Sequence, residues 1–244
     1  RAGKHLLVDK PFASLASLDT MLEAARAAGV GFMDATHFVH HPRTAAMRSR
    51  LESLGGAHTV RAAFYFPFAD ATNIRYDPEQ EPSGAVGDLA WYTARAAVEL
   101  MGPVALSASH ASLRRAPNGA IMHGDGLLLF DRARNSTWSV GYDGGAIAME
   151  LQAIAPEGML TCDDFVLDWA QSFAFKDVAP VGWTERTGMA TRAERPFVPS
   201  EAIAPEVVMI EEMARIARGA SSSHPYVEAA RSTQLIVDAI LEQG

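Results

Sequence analysis

Residues 1–34 read RAGKHLLVDKPFASLASLDTMLEAARAAGVGFMD, and their pattern sets the fold class ahead of anything else in the chain. Leu6-Leu7-Val8 is a short apolar run of the kind that forms a buried strand. Ser14 stands where a helix N-cap belongs, Leu15, Leu18, Leu22 and Ala25 follow at helical spacing, and Gly29 ends the helix. Val30 to Asp34 reads as a second short strand, so the segment is a strand, helix, strand unit of the α/β kind with a right-handed crossover. A parallel strand buried on both faces needs neighbours. None comes before Leu6 in this chain, so the unit is expected to be the tail of a larger parallel sheet.

Working outward, HFVHHPRTAAMRSRLESLGG (37–56) begins as a loop and becomes a helix from about Arg43, closed by Gly55-Gly56. AHTVRAAFYFPF (57–68) is rich in β-branched and aromatic residues and reads as a strand. ADATNIRYDPEQEPSG (69–84) has the composition of a long ordered loop, a kind of segment that often carries function. GAVGDLAWYTARAAVELMG (84–102) is a helix. Strands are expected over 103–113, 120–131, 136–143, 146–155 and 158–168, with turn signals at Pro117-Asn118-Gly119 and Asp143-Gly144-Gly145. Two helices, 205–218 and 225–242, close the chain. The expected architecture is an α/β remnant over 1–40, then an α+β domain over 41–244 with a large, open, mostly antiparallel sheet covered by helices.

The 244 residues suffice for a sizeable core, and a net charge of -8 argues against nucleic acid, since acids outnumber bases 29 to 21. Small molecules or proteins are the expected partners. Cys162 is the single cysteine, which excludes an intrachain disulfide and suits the reducing cytoplasm. No apolar run reaches the roughly 18 residues of a membrane helix.

Lys10 falls at the carboxyl end of the first strand, the edge where α/β sheets place ligands, and Pro11 fixes the turn after it. A lysine there can donate to a ribose hydroxyl or a substrate oxygen; a solvated strand-end lysine is the plain alternative. Asp88 and Tyr92 are four apart, so on a regular helix both emerge on one face, where a carboxylate and a phenol can address one small ligand. The plain alternative gives Asp88 to the helix dipole and Tyr92 to the core. Gly84 and Gly87 allow a ligand to approach the backbone. Trp91 either stacks on a substrate ring or fills an interface. His37 follows the second strand, which suits cofactor contact; with His40 and His41 it lacks an acidic partner at metal-site spacing, so no metal is expected. Arg43 and Arg95 are suited to an anion or to surface ion pairs. No G-x-G-x-x-G fingerprint is present, so a dinucleotide site is incomplete in this chain.

AGKHLLVDKPFA (2–13) together with PSGAVGDLAWYTARAA (82–97) resembles two signatures of the glucose-fructose oxidoreductase and inositol dehydrogenase superfamily (Gfo/Idh/MocA). MDATHFVHHPRT (33–44) and STQLIVDAI (232–240) are similar to its linker and its closing helix. The tyrosine-bearing version looks most like the dihydrodiol and xylose dehydrogenase branch. The resemblance implies that 1–40 is the end of a Rossmann domain whose earlier units, on the order of 90 residues, are absent. It implies NADP or NAD as cofactor, contacted by Asp9, Lys10, Pro11 and His37, with Asp9 in place of the usual Glu. It gives Lys10, Asp88 and Tyr92 catalytic roles, with Asp88 orienting a sugar, polyol or cyclic diol; Trp91, from its own place beside them, is taken as a further substrate contact. It also implies a homo-oligomer through the open sheet. Because the fingerprint is missing, two readings stand: a dehydrogenase whose cofactor half lies outside this chain, or a non-catalytic module for oligomerisation or partner binding.

Overall fold

A computed structural model describes residues 2–68, 70, 72–167, 182–189, 193–198 and 204–243. The opening unit forms as its pattern requires: β1 (Leu6–Val8), α1 (Leu15–Ala27) and β2 (Phe32–Asp34), with β1 and β2 parallel and Val8 opposite Asp34. Ser14 caps α1 by accepting from the Ser17 N–H at 3.1 Å, and Gly29 takes the left-handed conformation that ends it. A single turn over His37–His40 then leads into α2 (Pro42–Ser53). The His41 ring accepts from the Arg43 N–H at 3.0 Å, so this histidine is a helix cap.

The second sheet has eight strands in the order β10-β9-β8-β7-β3-β6-β5-β4. They are β3 (Thr59–Tyr65), β4 (Leu106–Arg115), β5 (Ile121–Phe130), β6 (Asn135–Gly141), β7 (Ala148–Ala155), β8 (Gly158–Cys162), β9 (Trp183–Thr187) and β10 (Ala193–Phe197). All pairs are antiparallel except β3 with β6. Side chains alternate across it. Val60, Ala62 and Phe64 of β3 and Met149, Leu151 and Ala153 of β7 are buried, whereas Arg61, Glu150 and Gln152 look out from the opposite face.

The buried face receives α3 (Trp91–Met101), in which every residue but Glu99 is buried. A helix buried all round carries no amphipathic stripe. It lies between β3 and α5 (His224–Leu241), and α5 also packs on α1 and β2. The two sheets therefore share one continuous apolar core, from Phe12 and Phe32 through Trp91 to Trp138 and Met149. Polar side chains fix the crossing: Gln234 accepts from the Phe12 N–H at 3.1 Å and Asp238 from the Leu15 N–H at 2.7 Å. α4 (Pro205–Ala217) covers Met33 with Met209, Met213 and Ile216. Among the described residues no helix is long and apolar enough to cross a membrane.

Several expectations are corrected. The strand expected over 158–168 ends at Cys162, and residue 168 lies outside the described residues. β9 and β10 carry too few apolar residues to signal themselves; they are joined across the pair by Trp183 and Phe197, whose rings stack at 4.0 Å. The helix expected over 84–102 is not regular, because a wide turn of π type spans Val86–Ala90. Arg43 and Arg95 are not surface residues. Arg43 is buried and donates to the Phe165 carbonyl at 2.9 Å. Arg95 is fully buried in α3, with Nη1 donating to Asp34 Oδ2 at 2.9 Å and Nε to Glu99 Oε1 at 2.8 Å. A buried cation needs such partners, because its desolvation is otherwise prohibitive. Asp34→Asn is expected to cost about 3 kcal/mol of unfolding free energy by breaking that pair. Arg48→Ala, which removes an exposed partner of the same Glu99, is expected to cost under about 1 kcal/mol. Urea denaturation measures both.

Candidate active site

Lys10 leaves the end of β1 and turns inward, so that its side chain is only 8% exposed. Its ammonium donates to the Asp88 carbonyl and to Asp88 Oδ1, both at 2.7 Å, and lies 4.7 Å from the centroid of the Tyr92 ring. Burial works against this charge, but the Tyr92 oxygen and Asp88 outweigh it and leave the lysine pKa above its ordinary value. Lys10 is therefore a fixed cation, not a solvated strand end.

Asp88 receives more than one cation. Arg75 Nε donates to its Oδ2 at 2.5 Å, and the Tyr142 hydroxyl donates to the same oxygen at 3.2 Å. Burial alone would raise the carboxyl pKa, yet the pull of Lys10 and Arg75 prevails and holds it down at about 2. The Tyr142 phenol is pushed up by burial and by Asp88, so it remains a neutral donor. Tyr92, wedged among His37, Phe38 and Phe64, is also pushed up by burial, with Lys10 pulling the other way; it rests as a phenol. Its hydroxyl meets His37 Nε2 at 3.4 Å. Burial, followed by Lys10 and His40, lowers the His37 pKa to about 4, so this imidazole is neutral near pH 7.

The wide turn is what places Asp88 and Tyr92. Gly87 lets it approach the Lys10–Pro11 peptide, which is cis: a Cβ on Gly87 would lie 2.5 Å from Ser83 Cβ and 3.0 Å from Pro11 Cγ. At Gly84, with φ +44, a Cβ would sit 2.5 Å from the Ile121 carbonyl oxygen. Both glycines thus serve close packing of protein on protein, which corrects the expectation that they clear room for a ligand.

Of the residues singled out in the sequence, Lys10, Asp88, Tyr92 and His37 converge. Pro11 adjoins them through Gly87. Asp9 is exposed and turns back to accept from the Lys10 backbone N–H at 2.9 Å. Trp91 does not join the cluster: its indole is fully buried, packs 5.6 Å from Phe12 and donates to Thr36 Oγ1 at 2.8 Å, which corrects its assignment to substrate. The other histidines diverge, with the His40 ring stacked on Tyr226 at 5.4 Å. Among the described residues no three His, Cys, Asp or Glu groups converge in a metal-binding arrangement. Sequence reasoning missed Arg75 and Tyr142. The first sits in the 69–84 loop, already marked as functional, where Asn73 accepts from the Arg75 N–H at 3.1 Å and starts the short turn. Tyr142 follows β6 and lies 54 residues from Asp88, with no local signal linking them.

No family model matches the chain. Over 116 residues, 46% of this chain, it is 33% identical to a dTDP-3,4-didehydro-2,6-dideoxy-alpha-D-glucose 3-reductase of Streptomyces antibioticus. Over 106 residues it is 35% identical to the enzyme of the same name from Streptomyces violaceoruber. The matched segment spans about a third of the length of these curated relatives, 35% and 30%. Among solved structures, KijD10, a 3-ketoreductase from Actinomadura kijaniata in complex with NADP and TDP-benzene, superposes with a TM-score of 0.82 at 20% identity, covering 100% of this chain and 72% of that one. The fold is therefore that of KijD10.

The acid limb of stability follows from Asp88. A carboxyl pKa held below its unfolded value contributes stability that is fully present above about pH 4 and is lost as pH falls through about 2. The contribution is about 2 kcal/mol. Asp88→Asn is expected to flatten the unfolding free energy between those pH values, as read by urea denaturation across the range.

Proposed function

We propose that this chain is part of a nicotinamide-dependent oxidoreductase of the Gfo/Idh/MocA superfamily that transfers hydride between the cofactor and a ring carbon of a sugar or cyclic diol. One observation carries the reading. A buried ammonium, Lys10, holds the Asp88 carboxylate on one side and faces the Tyr92 ring on the other, a grouping that a binding module has no need to build. Lys10 spends two N–H donors on Asp88, leaving one of its three for a ribose hydroxyl or a substrate oxygen, which fits a nicotinamide nucleotide at the carboxyl ends of β1 and β2. Lys10 would hold it with Asp9, Pro11 and His37. When bound, the nicotinamide supplies or accepts the hydride.

The chain's own residues account for the proton and the orientation. Asp88, pinned by Lys10, Arg75 and Tyr142, presents a fixed acceptor for a substrate hydroxyl. Tyr92, kept protonated by burial, is set to give its proton to a carbonyl oxygen, and Lys10 steadies the phenolate left behind. That polarity suits reduction, the direction named for the Streptomyces relatives and for KijD10. The NADP in the KijD10 structure favours NADP over NAD. We further assign 1–40 to the tail of the dinucleotide domain and 41–244 to a substrate domain whose open sheet face, small and polar at Ala63, Ser112, Thr137 and Ser139, pairs copies of the protein.

Tyr92→Phe is expected to lower turnover of a ketosugar by about 10²-fold or more while leaving cofactor affinity unchanged. Nicotinamide absorbance measures the first and a fluorescence titration the second. Unchanged turnover would remove Tyr92 from the chemistry and with it this reading.

A further inference from the structure

Each turnover must move a proton through the buried Tyr92 hydroxyl. The residues behind it supply a route. His37 Nε2 stands 3.4 Å from the Tyr92 hydroxyl, and His37 Nδ1 stands 3.7 Å from Glu206 Oε1. Glu206 opens the first turn of α4, and its side chain is 34% exposed, whereas that of His37 is 14% exposed. Nδ1 is a buried ring nitrogen with no hydrogen-bond partner of its own, and this carboxylate lies just outside bonding range of it. Among the described residues, the charged and titratable groups facing the imidazole are Lys10 from the turn after β1, Tyr92 from α3, His40 from the same short turn and Glu206 from α4.

Resting on the oxidoreductase reading above, we propose that His37 and Glu206 form a proton relay joining Tyr92 to solvent. In the oxidative direction the Tyr92 O–H bond breaks as an Nε2–H bond forms, and the Nδ1–H bond breaks as a carboxyl O–H forms on Glu206, which then releases the proton to water. The phenolate left on Tyr92 takes the hydroxyl proton of the substrate. One proton enters the ring as another leaves it, so no charge builds up on an imidazole that the buried, Lys10-flanked site would not tolerate. Reduction runs the same transfers backwards from the Nε2–H tautomer, and once product has left the open site the ring returns to its starting tautomer by exchanging its proton with water. His37 is thus not a passive wall of the cofactor site.

Nitrogen-15 NMR of the full chain, labelled at histidine, tests the relay without any turnover. His37→Gln assigns the ring signals, or His37→Asn should the first variant not fold. The expected resting ring is neutral, and the Nε2 signal moves in Tyr92→Phe and the Nδ1 signal in Glu206→Gln. A ring charged near pH 7, or a ring indifferent to both variants, overturns the relay. In turnover, Glu206→Gln is expected to lose activity that added imidazole buffer restores. Full activity in Glu206→Gln, or a loss that buffer does not relieve, overturns the relay while an inactive Tyr92→Phe leaves the oxidoreductase reading standing. An active Tyr92→Phe overturns that reading instead.

Discussion

The guanidinium of Arg95 lies in the middle of α3 with no exposure to water, and its charge is answered by Asp34 at the end of β2 and by Glu99 one turn along the helix. Removing such ions from water costs several kcal/mol each, so the pair adds little net stability. What it fixes is position, since parting the two charges would strand both in the core. Asp34 also accepts from Thr36, which in turn accepts from the Trp91 indole, so the start of α3 is tied twice to the end of β2. β2 is paired to β1 with Val8 opposite Asp34, and Lys10 lies two residues beyond Val8. The helix that carries Tyr92, and the wide turn that carries Asp88, are thereby held against the turn that carries Lys10.

Within that frame the site is organised around one carboxylate. Asp88 is reached by Lys10 from the first unit, by Arg75 from the long loop and by Tyr142 from beyond β6, so three separate parts of the chain meet at two oxygen atoms. The cations outweigh the burial that would otherwise neutralise the acid. A few ångströms away burial prevails: Tyr92 keeps its proton and His37 stays uncharged. Environment thus gives neighbouring titratable groups different protonation states, the usual basis for dividing orienting and proton-transferring roles within one site.

Much of this was legible in local pattern. The strand, helix, strand opening, the glycine stops and the hairpin strands of the large sheet follow from periodicity and turn chemistry, which act over a few residues. Lys10 was marked by its strand end and Asp88 and Tyr92 by their spacing, the resemblance gave the three a common role, and they do converge. The spacing was a weaker guide than it looked, because the turn between Asp88 and Tyr92 is wide and Gly87 is needed for packing against Pro11. β9 and β10 escaped notice because their pairing depends on cross-strand contacts such as Trp183 on Phe197.

The sequence by itself determined the α/β opening, the order of elements as far as β8, the mostly antiparallel character of the large sheet and the closing helices, and it marked Lys10 by its strand end and Asp88 and Tyr92 by their spacing. Tertiary structure alone decided which polar groups are buried and what each faces: Arg95 became an internal anchor, Trp91 a core residue, and Arg75 and Tyr142 partners of Asp88. The physical reason is range. Helix caps, turns and hydrophobic periodicity are set by neighbours in the chain, whereas a charge in a protein interior is tolerated only where distant segments bring it a partner, and that meeting is written in the fold.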